Sequence, residues 1–429
     1  MPGTTITTGT TEGVGTTATT PLLSRPDFAR LWTAQTASLF AAQIGDLALP
    51  LTAVLVLAAG SEQVGLLASV ARLPYLLLAL AAGVLADRLR RRRLMIVADL
   101  GRALLLAAVP LLYWADALGI GVLYATAFLV GCGTVLFDVA AQAYLPRLLP
   151  REDLARGNAL LGSSQSAATI GGPALGGLLV QWLTAPVAVC AAALSYAGSV
   201  VSLLSIRHRE ERRPERTAGK PLREIREGLA LLLRSERLRT MAVMAAVFNL
   251  FFTAFEVAYL QYLPRTLGLS PGAIGLVLAA LGPGFLLGAV FAARLPVRLG
   301  YGRTLVLTAL VANLVMPLTA LVHGGTVLSV GALMVINLLF AAFGTANNVT
   351  VLTIRQSITP DGLQGRVAAT NRFVAMGAAP LGALLGGGLG AGLGLRGTVL
   401  VTALGLCVAL VPLGLSSLAR IGGELPIAP

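Results

Sequence analysis

Two acidic residues lie inside long apolar stretches of this sequence, and a shift of 210 residues places Asp46 on Glu256. A carboxyl group in the hydrocarbon interior of a membrane costs about 2.5 to 3.5 kcal/mol on insertion scales, so it requires a partner, a cavity or a function. Removal from water also makes a carboxyl group hold a proton more readily. We therefore predict that Asp46 and Glu256 couple proton uptake and release to the passage of a substrate.

Arg72 offers a different explanation for one of these acids. It lies about ten residues into its own apolar stretch, at a depth close to that of Asp46. A static ion pair between Arg72 and Asp46 is an equally supported interpretation. Glu256 has no obvious partner in its own stretch, which favours it as the coupling residue. Arg372, in a later stretch, would attract an anionic substrate or balance Glu256, and the sequence does not choose between these roles.

Polar and aromatic side chains share one helical face with Glu256. They are Asn249, Phe252 and Tyr259, at spacings of seven, four and three residues from it. Such a face suits a pocket that holds a bulky amphiphile while Glu256 binds a cation or a proton. In the competing interpretation, the two aromatic residues only pack against other helices or face lipid.

Three further charged residues, Asp99, Arg102 and Asp138, fall at similar depths in two successive apolar stretches. Charged side chains at membrane depth pair with one another or mark proton pathways. We predict that they form a structural charge network. The alternative is that Asp138 relays protons.

The elements that position these groups follow from composition. With 56% hydrophobic and 12% charged residues, the chain of 429 residues is too apolar for a soluble domain. Its apolar runs exceed the roughly 20 residues that cross about 30 Å of hydrocarbon as a helix, and they are too long and too rich in Leu and Ala for strands. We predict an all-α membrane protein with twelve transmembrane helices, at approximately 28–58, 62–87, 93–114, 119–145, 152–181, 184–206, 237–264, 271–296, 302–322, 326–354, 361–391 and 395–418.

The 210-residue shift indicates that these helices form two pseudo-symmetric six-helix bundles. Among other pairs, it superimposes Gly65 on Gly275 and Gly177 on Gly387. Two parallel repeats are the signature of transporters that bind substrate between their halves. The predicted organisation is a disordered cytoplasmic tail at 1–27, a bundle at 28–206, a cytoplasmic linker with an amphipathic helix at 207–236, a bundle at 237–418 and a cytoplasmic tail at 419–429.

Charge fixes the predicted orientation. Most of the 32 Lys and Arg residues fall on one side of this topology. The positive-inside rule then places both termini in the cytoplasm of a multi-pass protein of the cell inner (plasma) membrane. Topology therefore explains the net charge of +13, and we predict no nucleic-acid partner. The three cysteines have no paired spacing and there is no phosphate-binding loop, so we predict no metal site, no cofactor and no hydrolysis of ATP.

The loop after the second predicted helix resembles a signature of the major facilitator superfamily. It reads Gly83-Val-Leu-Ala-Asp87-Arg88-Leu-Arg-Arg-Arg, in which Gly83, Asp87, Arg88, Arg91 and Arg92 match and Arg90 replaces an expected glycine. The resemblance implies that Asp87 accepts hydrogen bonds at the positive N-terminus of the eleventh helix, near residues 361–365, and latches the cytoplasmic ends together. In the alternative interpretation, the arginines only determine topology.

The fifth predicted helix resembles proton-coupled exporters of the same superfamily. It contains Gly172-Pro173-Ala-Leu-Gly176-Gly177, whose small residues permit close helix crossing and whose proline bends the span. Ordinary tight packing explains the glycines equally well. The loops at 145–158 and 355–366 look like those of the branch that contains macrolide and siderophore exporters.

The resemblance covers residues 28–418 and implies the major facilitator fold. It implies a proton-coupled antiporter, functional as a monomer, that exports small amphiphilic molecules such as drugs, antibiotics or siderophores by alternating access across the lipid bilayer. The alternatives are an uptake symporter or facilitator, a lipid flippase of the same fold, a membrane sensor and an intramembrane enzyme. We predict no enzyme, because no nucleophile and base can be assembled to face one another.

Overall fold

The computed structural model describes residues 22–207, 230, 235–360 and 364–422. Within these ranges, the side chains of 79–88, 151, 365–366, 368–369, 415 and 419–420 are not described. The predicted cytoplasmic tails therefore lie mostly outside the described residues. The same holds for the predicted amphipathic helix of the linker.

All regular structure in the described ranges is helical. The α-helices are α1 (Pro26–Leu51), α2 (Ser61–Arg88), α3 (Arg91–Trp114), α4 (Ile120–Leu148), α5 (Leu154–Leu183), α6 (Ala185–Leu204), α7 (Glu236–Arg265), α8 (Pro271–Ala279), α9 (Leu281–Leu299), α10 (Tyr301–Val315), α11 (Val327–Ile358), α12 (Gln364–Val408) and α13 (Val411–Leu415). Short 3-10 helices cover Leu22–Ser24, Arg151–Asp153, Met316–Leu321 and Ser417–Arg420, and a π-helical turn, Thr52–Val56, extends α1.

Local sequence signals explain several helix ends. The hydroxyl oxygens of Ser235, Ser270 and Thr326 each accept a hydrogen bond from a backbone N–H three residues later, at the starts of α7, α8 and α11. Within the helices, the backbone groups satisfy one another. That arrangement is required in lipid, where water cannot replace a missing hydrogen bond.

The all-α membrane architecture is confirmed, whereas the count of twelve spans stays a prediction. Nine helical segments among the described residues are long and apolar enough to cross a membrane. One of them, Thr370–Gly414, contains Gly394, whose φ of +70° interrupts the helical conformation inside α12. Helices α2 and α5 have 28 and 30 residues, which also exceeds the span of a bilayer.

The eighth predicted helix, 271–296, lies within one segment that is long and apolar enough to cross a membrane, Pro271–Leu299, with one interruption. The structure breaks it into α8 and α9 at Ala280. The sequence explains the break, because Pro283 has no backbone N–H to donate to the carbonyl oxygen one turn earlier.

The helix contacts fall into two sets that follow chain order. Helix α1 packs on α5 and α6, α2 on α4, and α3 on α4 and α6. In the later part of the chain, α7 packs on α12, and α11 packs on α9 and α10. The principal contacts between the two sets are α2 with α12 and α5 with α8.

Two glycine crossings bring the sets close together. A Cβ atom added at Gly65 would lie 2.7 Å from the Cα atom of Gly387, and one added at Gly177 would lie 2.7 Å from the Cα atom of Gly275. These four glycines are the two pairs that the 210-residue shift superimposes. The crossings of α2 with α12 and of α5 with α8 are thus repeat-equivalent, and only glycine allows this backbone approach.

Both crossings lie near one end of the helices, which we call the distal end, with loops 57–60, 266–270 and 322–326. Two side chains join the sets there. Arg265 donates hydrogen bonds to the carbonyl oxygens of Val54 and Ala59, at 3.2 and 2.6 Å. The amide oxygen of Gln181 accepts one from the backbone N–H of Gly272 at 2.8 Å. The opposite end, which holds residues 22–25, 205–207 and 420–422, is the terminal end.

Candidate functional site

A cavity of about 300 Å³ lies among α1, α2, α3, α4, α6 and α7. Its lining is mostly apolar, with contributions such as Leu49, Leu67 and Val130. The exceptions are polar or charged side chains from helices of both sets, namely Asp46, Arg72, Tyr75, Thr134, Tyr196 and Glu256. The structure therefore brings both predicted coupling acids and Arg72 into one chamber.

Arg72 pairs with Glu256 rather than with Asp46. Its Nη2 atom donates a hydrogen bond to Oε2 of Glu256 at 2.6 Å, which joins α2 to α7. The partner of Glu256 lies 184 residues away on another helix, so the local sequence, which offered Glu256 no obvious partner, could not reveal it. The Arg72 and Glu256 side chains are 32% and 51% exposed, and they line the cavity, so the ion pair is open to whatever the cavity holds.

Asp46 lines the same cavity without a direct partner. Its side chain is exposed, although it lies near the distal end of α1 between buried neighbours such as Gly45 and Leu47. Among the described residues, it makes no hydrogen bond or ion pair, while Arg72 and Glu256 lie within electrostatic range. The static pair of Asp46 with Arg72 is therefore not formed. Asp46 is a carboxylate whose charge the cavity contents can neutralise.

A buried charge cluster lies behind the cavity wall. Arg102 is 2% exposed and Asp99 is fully buried, and the two form an ion pair. Arg102 also donates hydrogen bonds to Ser38 at 3.1 Å and to Thr134 and Tyr196 at 3.3 Å each, and its guanidinium lies 4.2 Å from the centre of the Tyr196 ring. The predicted proximity of Asp99 and Arg102 is found, and Thr134 and Tyr196 connect the cluster to the cavity.

Asp138 belongs to this region through a residue that sequence reasoning missed. The hydroxyl group of Tyr75 donates a hydrogen bond to Oδ2 of Asp138 at 3.3 Å, and Tyr75 also lines the cavity. Asp138 lies within electrostatic range of both Arg102 and Arg372. Arg372 thus lies nearer to the Asp138 side of the site, and no ion pair joins it to Glu256 in the part of the chain that the structure describes. The spacing of three residues from Arg72 to Tyr75 was the available signal.

The aromatic side chains on the predicted Glu256 face of α7 pack against other side chains of the protein. Phe252 stacks on Phe248 and on Phe340 of α11, with ring centroids 5.4 Å apart in each case. Tyr259 is 6% exposed and accepts a hydrogen bond from Nδ2 of Asn337 at 3.3 Å.

Asn249 donates a hydrogen bond to the carbonyl oxygen of Ala245 in its own helix. None of Asn249, Phe252 and Tyr259 lines the cavity that holds Glu256. The structure therefore gives Phe252 and Tyr259 the packing role of the competing interpretation.

The predicted latch lies largely outside the described residues. Gly83, Asp87 and Arg88 fall on the last turns of α2, where side chains are not described, and 361–363 are not described either. Arg91 begins α3. Arg92 donates hydrogen bonds to the carbonyl oxygens of Leu203 and Leu204, at 2.8 and 2.7 Å, where a cation is favourable at the C-terminus of α6.

The glycines of the predicted exporter motif all lie against other helices. A Cβ atom at Gly172 would overlap Gln43 of α1, and one at Gly176 would lie 3.3 Å from Leu47. Gly177 forms the crossing with α8, and the carbonyl oxygen of Pro173 approaches Gly275. The motif lets α5 contact α1 and α8 at once.

Comparison with known proteins identifies the family. The family model described as transmembrane secretion effector matches residues 16–423. The multidrug efflux pump Tap of Mycobacterium tuberculosis is 28% identical over 376 residues, which cover 86% of this chain and 87% of that protein. The macrolide efflux protein A of Streptococcus pyogenes is 28% identical over 224 residues, covering 52% of this chain and 55% of that protein.

Solved structures share the fold. A bacterial homologue of the human lysosomal transporter Spinster, in an inward-facing and unoccupied conformation, superposes with a TM-score of 0.72 at 15% identity, covering 96% of this chain and 99% of that one. A bacterial homologue of the iron transporter ferroportin, in an inward-facing state, gives a TM-score of 0.73 at 18% identity, covering 91% and 98%.

The predicted resemblance to the drug and macrolide exporter branch of the major facilitator superfamily is confirmed by these matches. The family description and the membrane-length helices together make this chain a multi-pass membrane protein. The chain belongs to the transmembrane secretion effector family of the major facilitator superfamily, and it is a membrane transporter of small molecules and not an enzyme.

Proposed function

We propose that this protein exports small amphiphilic molecules from the cell in exchange for protons. The observation that carries the proposal is the mostly apolar cavity in which Asp46 faces the Arg72–Glu256 ion pair. Apolar walls suit the body of an amphiphile, and carboxyl groups at membrane depth suit proton uptake and release. The relatives named as multidrug and macrolide efflux proteins favour export and favour drug-like cargo.

The proposed architecture has twelve spans in two six-helix bundles, 28–206 and 237–418, that rock about the cavity. The repeat-equivalent crossings at Gly65 with Gly387 and at Gly177 with Gly275 support this symmetry. By the positive-inside rule, the terminal end is cytoplasmic and the distal end faces outward. The hydrogen bonds of Arg265 at the distal end support a state that is closed to the outside.

In the proposed cycle, a carboxylate of the cavity is either protonated or neutralised by cargo. Cargo enters from the cytoplasm while Asp46 and Glu256 carry no exchangeable proton. Opening of the distal end then exposes the cavity to the outside, where protons bind the carboxylates and the cargo leaves. When the bundles rock back, the protons are released into the cytoplasm. The protein works as a monomer in the lipid bilayer, and the proton gradient drives export without a cofactor.

The test is substrate flux in proteoliposomes with an imposed pH gradient. Wild-type protein is compared with Asp46→Asn and Glu256→Gln, and with Glu62→Gln as a control, because Glu62 is an exposed acid of α2 that does not line the cavity. We expect an opposing proton gradient to accelerate flux in the wild type and the control, and to have little effect in the two cavity variants. Flux that ignores the gradient in the wild type would remove proton coupling. Acceleration by a gradient in the same direction as the cargo would instead indicate uptake by symport.

A further inference from the structure

We propose that Arg72 sets the charge of the cargo. By cancelling one of the two cavity acids, it makes the cavity prefer singly charged cations over uncharged and doubly charged molecules of the same size. The inference rests on the proposed function, since it concerns the molecules that the cavity carries.

The charged side chains that line the cavity have a net charge of minus one. Its lining contains Asp46, Arg72 and Glu256, and its other polar groups are the neutral side chains of Tyr75, Thr134 and Tyr196. Two carboxylates and one guanidinium sum to a single negative charge. An apolar chamber with that excess attracts a cation, because charges inside low-dielectric walls are screened less than in water.

The next layer of charges does not change this sum. Asp99 and Arg102 neutralise each other in a buried ion pair behind the wall. Asp138 has Arg102 and Arg372 within electrostatic range. The uncompensated negative charge of the region therefore stays with Asp46.

Arg72, which is 32% exposed, is held more loosely than Arg102, the buried arginine of this region. Its guanidinium makes one short hydrogen bond, to Glu256, and a long one of 3.4 Å to the carbonyl oxygen of Ala68. Arg102, by contrast, is 2% exposed and has Asp99, Ser38, Thr134 and Tyr196 as partners.

This difference has a consequence for cargo. A single positive charge neutralises Asp46 and leaves the Arg72–Glu256 pair in place. A second positive charge needs Glu256 as well, so it must displace Arg72 into a cavity of about 300 Å³. Binding of a doubly charged molecule therefore breaks the bond between Arg72 and Glu256, and this loss offsets the attraction between its second charge and Glu256. An uncharged molecule has no charge for Asp46 to attract.

The experiment measures equilibrium binding to the purified full-length chain in detergent. The probes are a quaternary ammonium compound with one charge, its counterpart of the same chain length with a charge at each end, and an uncharged carbon isostere. The protein variants are Arg72→Gln, Arg72→Lys, Glu256→Gln and the double variant Arg72→Gln with Glu256→Gln. Arg298→Gln is the control, since Arg298 is exposed on α9 and does not line the cavity.

Arg72→Gln raises the cavity excess to two negative charges. At an effective dielectric constant of about 20, one unit charge about 10 Å away changes binding roughly tenfold, so we expect the ratio of affinities to move toward the doubly charged probe by about that factor. Arg72→Lys and Arg298→Gln keep the wild-type ratio. The double variant, Arg72→Gln with Glu256→Gln, returns the cavity to a single negative charge and restores the preference for the singly charged probe.

Glu256→Gln gives a second, independent outcome that does not require the Arg72→Gln protein to fold. It leaves Arg72 to balance Asp46, so the singly charged probe loses about tenfold in affinity relative to the uncharged isostere. An unchanged probe ratio in folded Arg72→Gln, or no preference of the wild type for the singly charged probe, would overturn the inference.

Because binding is measured without a pH gradient, failure of the proposed exchange would leave these ratios intact. It would be seen only as flux that ignores the gradient.

Discussion

Replacing Gly387 with alanine places a methyl group where α12 touches α2. The added Cβ atom would lie 2.9 Å from the Cα atom of Gly65, 2.9 Å from the carbonyl oxygen of Ser61 and 3.3 Å from the Cα atom of Glu62. All three are backbone atoms, so no side chain can rotate away and the helices themselves must separate. We expect Gly387→Ala to favour the state in which the distal end is open.

The size of the effect follows from the packing. Inserting a methyl group into a tight contact costs about 1 to 3 kcal/mol. If that cost falls only on the distal-closed state, the equilibrium moves toward the open state by about 5- to 150-fold.

Gly388 offers a matched control one position along the same helix. A Cβ atom at Gly388 has no neighbour within 4 Å. Gly388→Ala therefore makes the same glycine-to-alanine change in the same helix as Gly387→Ala, but its methyl group does not contact α2.

The assay is a distance distribution between spin labels on the two sets of helices. Labels at Ala117 and Val327 lie on exposed distal positions away from the crossing, in a background in which Cys132, Cys190 and Cys407 are replaced by alanine. Gly387→Ala should increase the population at longer distance, and Gly388→Ala should match the parent protein. If both alanine variants give the parent distribution, the crossing does not control distal opening, and the reasoning from its geometry is refuted.

Three further predictions concern other contacts. Arg265→Gln removes two bonds from the distal end to carbonyl oxygens of the α1–α2 connection, so the same spin labels should report more of the open state, and an unchanged distribution would count against a gating role. Arg102→Met leaves Asp99 charged and buried, so the free energy of unfolding, measured in denaturant titrations, should fall by about 3 to 5 kcal/mol. The fall should be smaller in the double variant that also carries Asp99→Asn. An equal fall in the single and the double variant would contradict the ion pair of Asp99 with Arg102. Tyr75→Phe removes the hydrogen bond to Asp138, so proton-driven flux should fall while cargo binding in detergent stays within about twofold; a loss of binding alone would show that Tyr75 serves the cargo instead.

Much of the fold could be predicted from the sequence because bilayer thickness constrains helix length and because the two halves repeat. The same repeat located the glycines that form both crossings. Depth along the helices predicted a similar level for Asp46, Arg72 and Glu256, and all three line one cavity. These features depend on distance along one helix, which the sequence records directly.

The choice of partners within the site could not be predicted in the same way. Whether Arg72 bonds to Asp46 or to Glu256 depends on how α2, α1 and α7 are rotated and placed relative to one another, and no local spacing records that. Helical spacing also put Tyr259 on the face of Glu256. The cavity covers only part of that face, and α11 packs against Tyr259 through Asn337.

The most direct test of the account is the number of protons released when cargo binds. A singly charged quaternary ammonium compound is added to purified protein in weakly buffered solution, and a pH indicator counts the protons. We predict that the wild type releases up to about one proton per bound cation in the pH range where Asp46 is mostly protonated without cargo and mostly ionised with it, and that Asp46→Asn releases almost none. Equal release by the two proteins, or none by the wild type across the pH range, would contradict the claim that cargo and protons compete for this cavity.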